Sequence, residues 1–316
     1  WQEKTNDIQG FEKIALLKQN IEKVIFGKGD VIEYTIIALL ARGHLLIEDV
    51  PGVGKSSLAH SLASSLHLDF KRIQFTNDLL PADITGVSIY DQEEKKFHFQ
   101  KGPLFANIVL ADEINRSTPR TQSALLEAMN ERQISADNTT YNLEEPFMVI
   151  ATQNQIESQG TYPLPESQLD RFMLYVSMGY PSIEDERRLL NTARPDPASI
   201  DALLNKEDVL QLQAQVDQVK IEPLLTDYIL NIITATRDNP HLTLGVSPRG
   251  GLIFQQAIRA RALVHGRDYC TPDDVKILAA PVLCHRVIPE SHSNSRRFAD
   301  TATIIEKILE QLAVPV

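Results

Sequence analysis

The stretch His44-Leu45-Leu46-Ile47-Glu48-Asp49-Val50-Pro51-Gly52-Val53-Gly54-Lys55-Ser56-Ser57 decides how the rest of the chain is read. Its short apolar run, Leu45 to Ile47, predicts a buried strand, and a glycine loop follows. Beyond the loop, Leu58, Leu62 and Leu66 share one helical face with Ala59 and Ala63 beside them. Strand, glycine loop and helix in that order form a phosphate cradle. Glycines let backbone N–H groups point at phosphate oxygens, a lysine reaches the β- and γ-phosphates, and a hydroxyl helps to hold Mg²⁺. Gly54-Lys55-Ser56 supplies all three, so Pro51, Gly52, Val53, Gly54, Lys55, Ser56 and Ser57 are candidate nucleotide contacts. The general pattern G-x-x-x-x-G-K-[ST] has glycine where this chain has Asp49. Aspartate tolerates the left-handed conformation better than most residues, and its carboxylate is expected to point away from the phosphates.

Two further apolar runs end in polar residues. Ile108-Val109-Leu110-Ala111 leads into Asp112-Glu113, and Phe147-Met148-Val149-Ile150-Ala151 into Thr152-Gln153-Asn154. Buried parallel strands whose carboxyl ends form a site have this appearance. Helical spacing is predicted before the cradle, from Asp30 to Ala41 with Asp30 as cap. It is also predicted from Ser117 to Asn130, with Ser117 as cap and Pro119 early in the helix. Alternating strand and helix implies a doubly wound α/β domain. Two stretches interrupt it as β-hairpins with polar tips: Val87–Tyr90 with Lys96–Phe99 around Asp91–Lys95, and Gln133–Ser135 with Thr140–Leu143 around Ala136–Thr139. After Pro181 the pattern turns helical without strands, over Asp185–Ala193, Glu207–Val219, Pro223–Arg237, Pro248–Val264 and Phe298–Leu312.

The chain has 316 residues, of which 43% are hydrophobic, enough for two domains with ordinary cores. With 31 Lys and Arg against 42 Asp and Glu, its net charge of -11 opposes non-specific attraction to nucleic acid or anionic lipid. The two cysteines, Cys270 and Cys284, match no metal spacing and read as reduced side chains. No apolar run approaches the roughly 18 to 20 residues of a membrane span, and the polar start Trp1-Gln2-Glu3-Lys4 contains no secretory signal. The expected location is therefore the cytoplasm.

Asp112 at a strand end would hold Mg²⁺ together with Ser56, while Glu113 would polarise an attacking water. Alone, such a pair reads as an exposed acidic turn; coupled to Lys55 it reads as the second half of a hydrolytic site. Asn154 could orient that water, or serve only as a turn residue. Arg171 and Arg249 are candidates for neutralising charge during phosphoryl transfer. Arg249 projects from a helix start with Ser247 as N-cap and Pro248 in the first turn. Most arginines are simply solvated.

Together these residues resemble the MoxR family of AAA+ ATPases. The resemblance runs through His44 to Lys55, Leu110 to Arg116, Thr121 to Met129, Ala151 to Asn154 and Gly160 to Phe172. It continues through Ser247-Pro248-Arg249, Gly266 to Tyr269 and Thr271 to Val275, spanning about residues 20 to 290. It implies an AAA+ type α/β P-loop NTPase domain (residues 1–181) whose parallel sheet is sandwiched by helices and carries β-hairpin inserts. An all-helical lid (residues 182–316) would follow. It further implies Walker A roles for Lys55 and Ser56, Walker B roles for Asp112 and Glu113, and sensor 1 for Asn154. Arg171 would be an arginine finger serving a neighbour's ATP, Arg249 a lid sensor 2, and Ile25-Phe26-Gly27 the lining of the adenine pocket. The hairpins would face the pore of a hexameric ring. The implied activity is ATP hydrolysis with Mg²⁺, used to remodel or mature protein clients, among them partners carrying a von Willebrand factor A domain. Two other readings stay open: a DNA-associated motor, for which Lys95, Lys96 and Lys101 are offset by Asp91, Glu93 and Glu94, and a nucleotide-gated binding module with low turnover.

Overall fold

A computed structural model describes residues 2–50, 52–136, 139–154, 160–191, 196, 197, 200–290 and 297–315, and for residues 2–9 and 297 the backbone alone. Pro51 and the hairpin-tip residues Asp137 and Asn138 lie outside the described residues. The helices are α1 (Gln2–Glu22), α2 (Gly29–Leu40), α3 (Lys55–Ser65), α4 (Pro81–Thr85), α5 (Pro119–Glu131), α6 (Glu166–Leu169), α7 (Ile183–Asn191), α8 (Lys206–Gln218), α9 (Pro223–Arg237), α10 (Pro248–Val264), α11 (Pro272–Leu283) and α12 (Arg297–Gln311). The strands are β1 (Leu45–Glu48), β2 (Phe70–Gln74), β3 (Gly86–Asp91), β4 (Lys96–Lys101), β5 (Ile108–Asp112), β6 (Gln133–Ala136), β7 (Thr139–Asn142), β8 (Met148–Gln153), β9 (Leu174–Val176), β10 (Leu242–Leu244) and β11 (Ile288–Pro289).

Five strands form one sheet in the order β2-β5-β8-β1-β9, and every neighbouring pair is parallel. Leu45 pairs with Ile150 on one side and Leu174 on the other, so all strands point the same way and their carboxyl ends line one edge. β5, β8 and β1 read as continuous apolar runs because helices cover both faces of a parallel sheet, leaving neither side to water. β3 pairs with β4 and β6 with β7 as the two expected antiparallel hairpins.

Several expectations shift. Asp30 lies in the first turn of α2 and does not cap it; Lys28 occupies the cap position without a side-chain bond. The cap of α5 is Thr118, whose hydroxyl accepts from Thr121 N, and not Ser117. The sheet gains β2 and β9. β2 buries only Ile73, and β9 is three residues long, so neither offers the run of apolar residues that announces a strand. α1 is largely polar and buries Ile14, Leu17 and Ile21 against its neighbours. The second region is helical but includes a short antiparallel ribbon, β10 with β11, between its helices. α11 adds a helix there, capped by Thr271 and accommodating Pro281. Ser247 caps α10 as expected, accepting from Gly250 N at 3.0 Å. α10 packs on α2, α8, α9 and α11, joining the helical region to the sheet domain. No helix among the described residues is long and apolar enough to cross a membrane. Cys270 and Cys284 are free and buried, and burial pushes both thiols up to about 12.

Candidate nucleotide site

Between β1 and α3 the backbone turns through two left-handed glycines, Gly52 at φ +87° and Gly54 at φ +100°, a conformation costly for residues bearing a Cβ. Gly52 faces open space, and Gly54 lies near Ile25 and Met178. α3 then begins at Lys55, so the unpaired first-turn N–H groups, including those of Ser56 and Ser57, gather at the loop. Lys55 Nζ donates to the Asp49 and Val50 carbonyls at 3.2 and 3.3 Å. Burial lowers its pKa, opposed by the nearby charges of Asp49, Asp112 and Glu113. The Asp49 carboxylate is taken up by donors of the loop and of the segment after β9. One of its oxygens accepts from Val50 N, and the other accepts from Ser177 Oγ at 3.1 Å and Gly179 N at 2.5 Å. The residue in place of glycine thus fastens the glycine loop to the segment leaving β9.

The ends of β5 and β8 complete this edge. Asp112 is buried; its Oδ1 accepts from Thr152 Oγ1 at 2.7 Å, and its Oδ2 from Arg72 at 2.6 and 3.1 Å. Glu113 takes a left-handed backbone at φ 57°, which swings its side chain out of the strand. Its carboxylate accepts from Asn154 Nδ2 at 3.1 Å and Gln74 Nε2 at 2.9 Å, and pairs with Arg116 at 3.1 Å. Thr152 accepts from Glu113 N at 2.9 Å while donating to Asp112, so one hydroxyl ties the two acidic residues together. Asn154 Oδ1 is buried without a hydrogen-bond partner among the described residues. This set fits a magnesium-bound nucleoside triphosphate: cationic and N–H donors for phosphates, Ser56 and Asp112 as oxygen ligands for a hard cation, and glycine-lined space for a backbone approach.

The expected adenine segment meets the helical region. Arg188 of α7 lies over the Phe26 ring at 4.7 Å, and Lys28 Nζ donates to the Tyr180 carbonyl at 2.8 Å. Gly27, at φ +66°, accommodates the Asp185 carboxylate; a Cβ there would stand 2.0 Å from its Oδ2.

Arg171 and Arg249 are brought together elsewhere. They line one groove of about 290 Å³ with Arg42, Gly43, Met129 and Arg132. Arg171 donates to the Leu126 carbonyl, and Arg249 to Asn130 Oδ1. Gly43 and His44 precede β1 and Met173 precedes β9, so this groove lies at the amino edge of the sheet. Lys55, Asp112, Glu113 and Asn154 occupy the carboxyl edge. Sequence reasoning missed Arg72, Gln74, Arg116 and Thr152. For Thr152 a signal existed, a polar residue closing an apolar run; for Arg72 and Gln74 only the β2–β5 register, Gln74 opposite Asp112, reveals them.

Residues 44–174 match the family described as "ATPase family associated with various cellular activities (AAA)", and residues 234–308 match the AAA lid domain. The chain is 46% identical over 300 residues to YeaC of Bacillus subtilis, itself uncharacterised, covering 94% of this chain and 93% of that protein. It is 38% identical over 304 residues to Chaperone MoxR1 of Mycobacterium tuberculosis, covering 93% of this chain and 80% of that one. A solved structure of a provisionally assigned ATPase from Cytophaga hutchinsonii superposes with a TM-score of 0.89 at 37% identity, covering 100% of this chain and 98% of the other. An AAA+ sheet domain, a helical AAA lid and these relatives together make the chain a member of the MoxR family of AAA+ ATPases.

Proposed function

We propose that this chain hydrolyses ATP in an oligomeric ring and uses the cycle to remodel or mature protein clients. The observation that carries this reading is the division of the phosphoryl-transfer residues between two edges of one sheet. A chain holding Lys55 and Glu113 on one edge and Arg171 and Arg249 on the other completes a site only by meeting a second copy.

Lys55 and the N–H groups from Gly52 to Ser57 would bind the phosphates, and Ile25, Phe26 and Gly27 would border the base. Ser56 and Asp112 would hold Mg²⁺, which when bound neutralises charge on the phosphate oxygens. Glu113 would take up proton density from the attacking water, with Asn154 fixing the carboxylate. Arg171 and Arg249 would serve the neighbouring copy, where a guanidinium stabilises developing charge by about 10³- to 10⁵-fold in rate. The groove they share supports a role in trans for both. We divide the chain after Pro181, at the segment that Asp49 and Lys28 grip.

The β3–β4 hairpin leaves Val87, Ile89, Tyr90 and Phe97 exposed, Phe97 by 71%, which favours an apolar protein client over nucleic acid. We further propose a hexameric ring and a client set that includes von Willebrand factor A domain proteins. Steady-state phosphate release by the wild type and by Glu113→Gln tests the enzymatic claim: the wild type should turn over and the variant should not, and equal rates would defeat it.

A further inference from the structure

Arg286 follows α11 by three residues, at the junction of the helical region with the sheet, and its side chain is only 1% exposed. Burying a guanidinium is costly unless its donors are met, and a well-packed apolar side chain would often serve stability as well. Nη1 donates locally to the Val282 carbonyl of α11 and lies 2.6 Å from His285 Nε2, and the remaining contacts converge on one distant segment. Nη2 donates to the Asp170 carbonyl at 3.2 Å and the Phe172 carbonyl at 2.6 Å, and Nη1 to the Met173 carbonyl at 3.2 Å. Nε pairs with the Asp170 carboxylate at 3.0 Å. These contacts flank Arg171 on both sides. The stem of the same side chain closes against Gly250, the residue after Arg249: a Cβ on Gly250 would stand 3.0 Å from Arg286 Cδ. One buried side chain therefore underlies the seats of both groove arginines.

We propose that Arg286 is the positioning residue of the arginine edge, fixing Arg171 and Arg249 relative to each other and tying both to the helical lid. A guanidinium acting on a transferring phosphoryl group must be placed to within a fraction of an ångström, and Arg171 lies just past the four-residue helix α6, to which its backbone N is tied by a bond to the Gln168 carbonyl at 3.2 Å. The planar fork of Arg286 reaches four carbonyls, three of them in the Asp170–Met173 segment, and pairs with a carboxylate at once, which a lysine cannot do. It stays protonated at neutral pH, although burial pulls it down to about 10. A lid movement in one subunit would then displace the arginines that subunit offers to its neighbour. This inference rests on the reading of Arg171 given above.

The test measures kcat, KM and nucleotide affinity of the assembled protein for Arg286→Lys and Asp170→Asn, each alone and combined with Arg171→Ala; thermal melting confirms folding. The expected result is a fall in kcat of about tenfold or more for each single variant, with nucleotide affinity within about twofold of wild type. No further loss is expected when either is added to Arg171→Ala. If Arg286→Lys does not fold, Asp170→Asn, which removes only the charge of the pair, decides the question. Folded single variants with wild-type kcat, or losses that multiply with that of Arg171→Ala, would overturn the inference. Full activity of Arg171→Ala would instead overturn the reading on which it rests.

Discussion

The carboxyl and amino edges of the sheet are built in opposite ways. At the carboxyl edge each acidic group is held by several partners from different strands: Asp112 by Thr152 and Arg72, and Glu113 by Asn154, Gln74 and Arg116. At the amino edge Arg171 and Arg249 border an open groove, the first bound to a backbone carbonyl and the second to an exposed asparagine. A preorganised carboxylate set suits a chemical centre, whereas cations over an open groove suit contact with something outside the chain. The contrast is what a site shared between copies requires.

The most damaging way to break the contrast is Arg171→Ala. It should lower kcat about 10³-fold while leaving ATP affinity nearly unchanged, since the lost group acts on charge in transit. Phosphate-release kinetics beside a nucleotide-binding titration would check both halves. Next, Thr152→Ala removes the hydroxyl that links Asp112 to Glu113, and kcat should fall about tenfold by loss of two hydrogen bonds at a preorganised centre. Thr152→Ser should restore most of it.

The amino edge should also be the acid-sensitive one. His44 is fully buried between Val149 N, which donates to its Nδ1, and the Met129 carbonyl near its Nε2, and burial depresses its pKa to about 4. The unfolded chain, with an imidazole near 6.5, binds a proton that the folded chain refuses between those values. Stability should therefore be intact above pH 6.5 and decline as pH falls towards 4, by about 3 kcal/mol at most. Melting temperatures across that window would show it, and a flat profile would contradict the neutral, buried imidazole. The smallest effect is expected for Gln74→Ala, which removes one of three partners of Glu113 and should change kcat by only about threefold.

The parts legible from sequence are those whose chemistry is local. Gly54-Lys55-Ser56 and Asp112-Glu113 announce themselves because a glycine loop and a strand end each place their own side chains, and the structure carries them to one edge. The polar-tipped hairpins were legible for the same reason: alternation and turn residues lie within a dozen positions. What stayed hidden depends on register and on distant packing. Arg72 and Gln74 sit on an edge strand with one buried residue, and they matter only because β2 pairs with β5. Arg171 and Arg249 were recognisable as candidates, but their meeting in one groove is set by α10 packing against the sheet domain, some eighty positions downstream of Arg171. Arg286 gave no local signal of its role, since the partners that matter for it are backbone carbonyls of a segment more than a hundred residues away.

The central claim, a site completed by a neighbour, is tested most directly by co-assembling two inactive forms. Subunits carrying Glu113→Gln keep their arginines, and subunits carrying Arg171→Ala keep Lys55, Asp112 and Glu113. Each form alone should release almost no phosphate, while rings made by co-expressing both should recover a substantial fraction of wild-type activity at interfaces that pair an intact arginine edge with an intact carboxyl edge. Mixed rings no more active than either parent would contradict the account, as would full activity from Arg171→Ala alone.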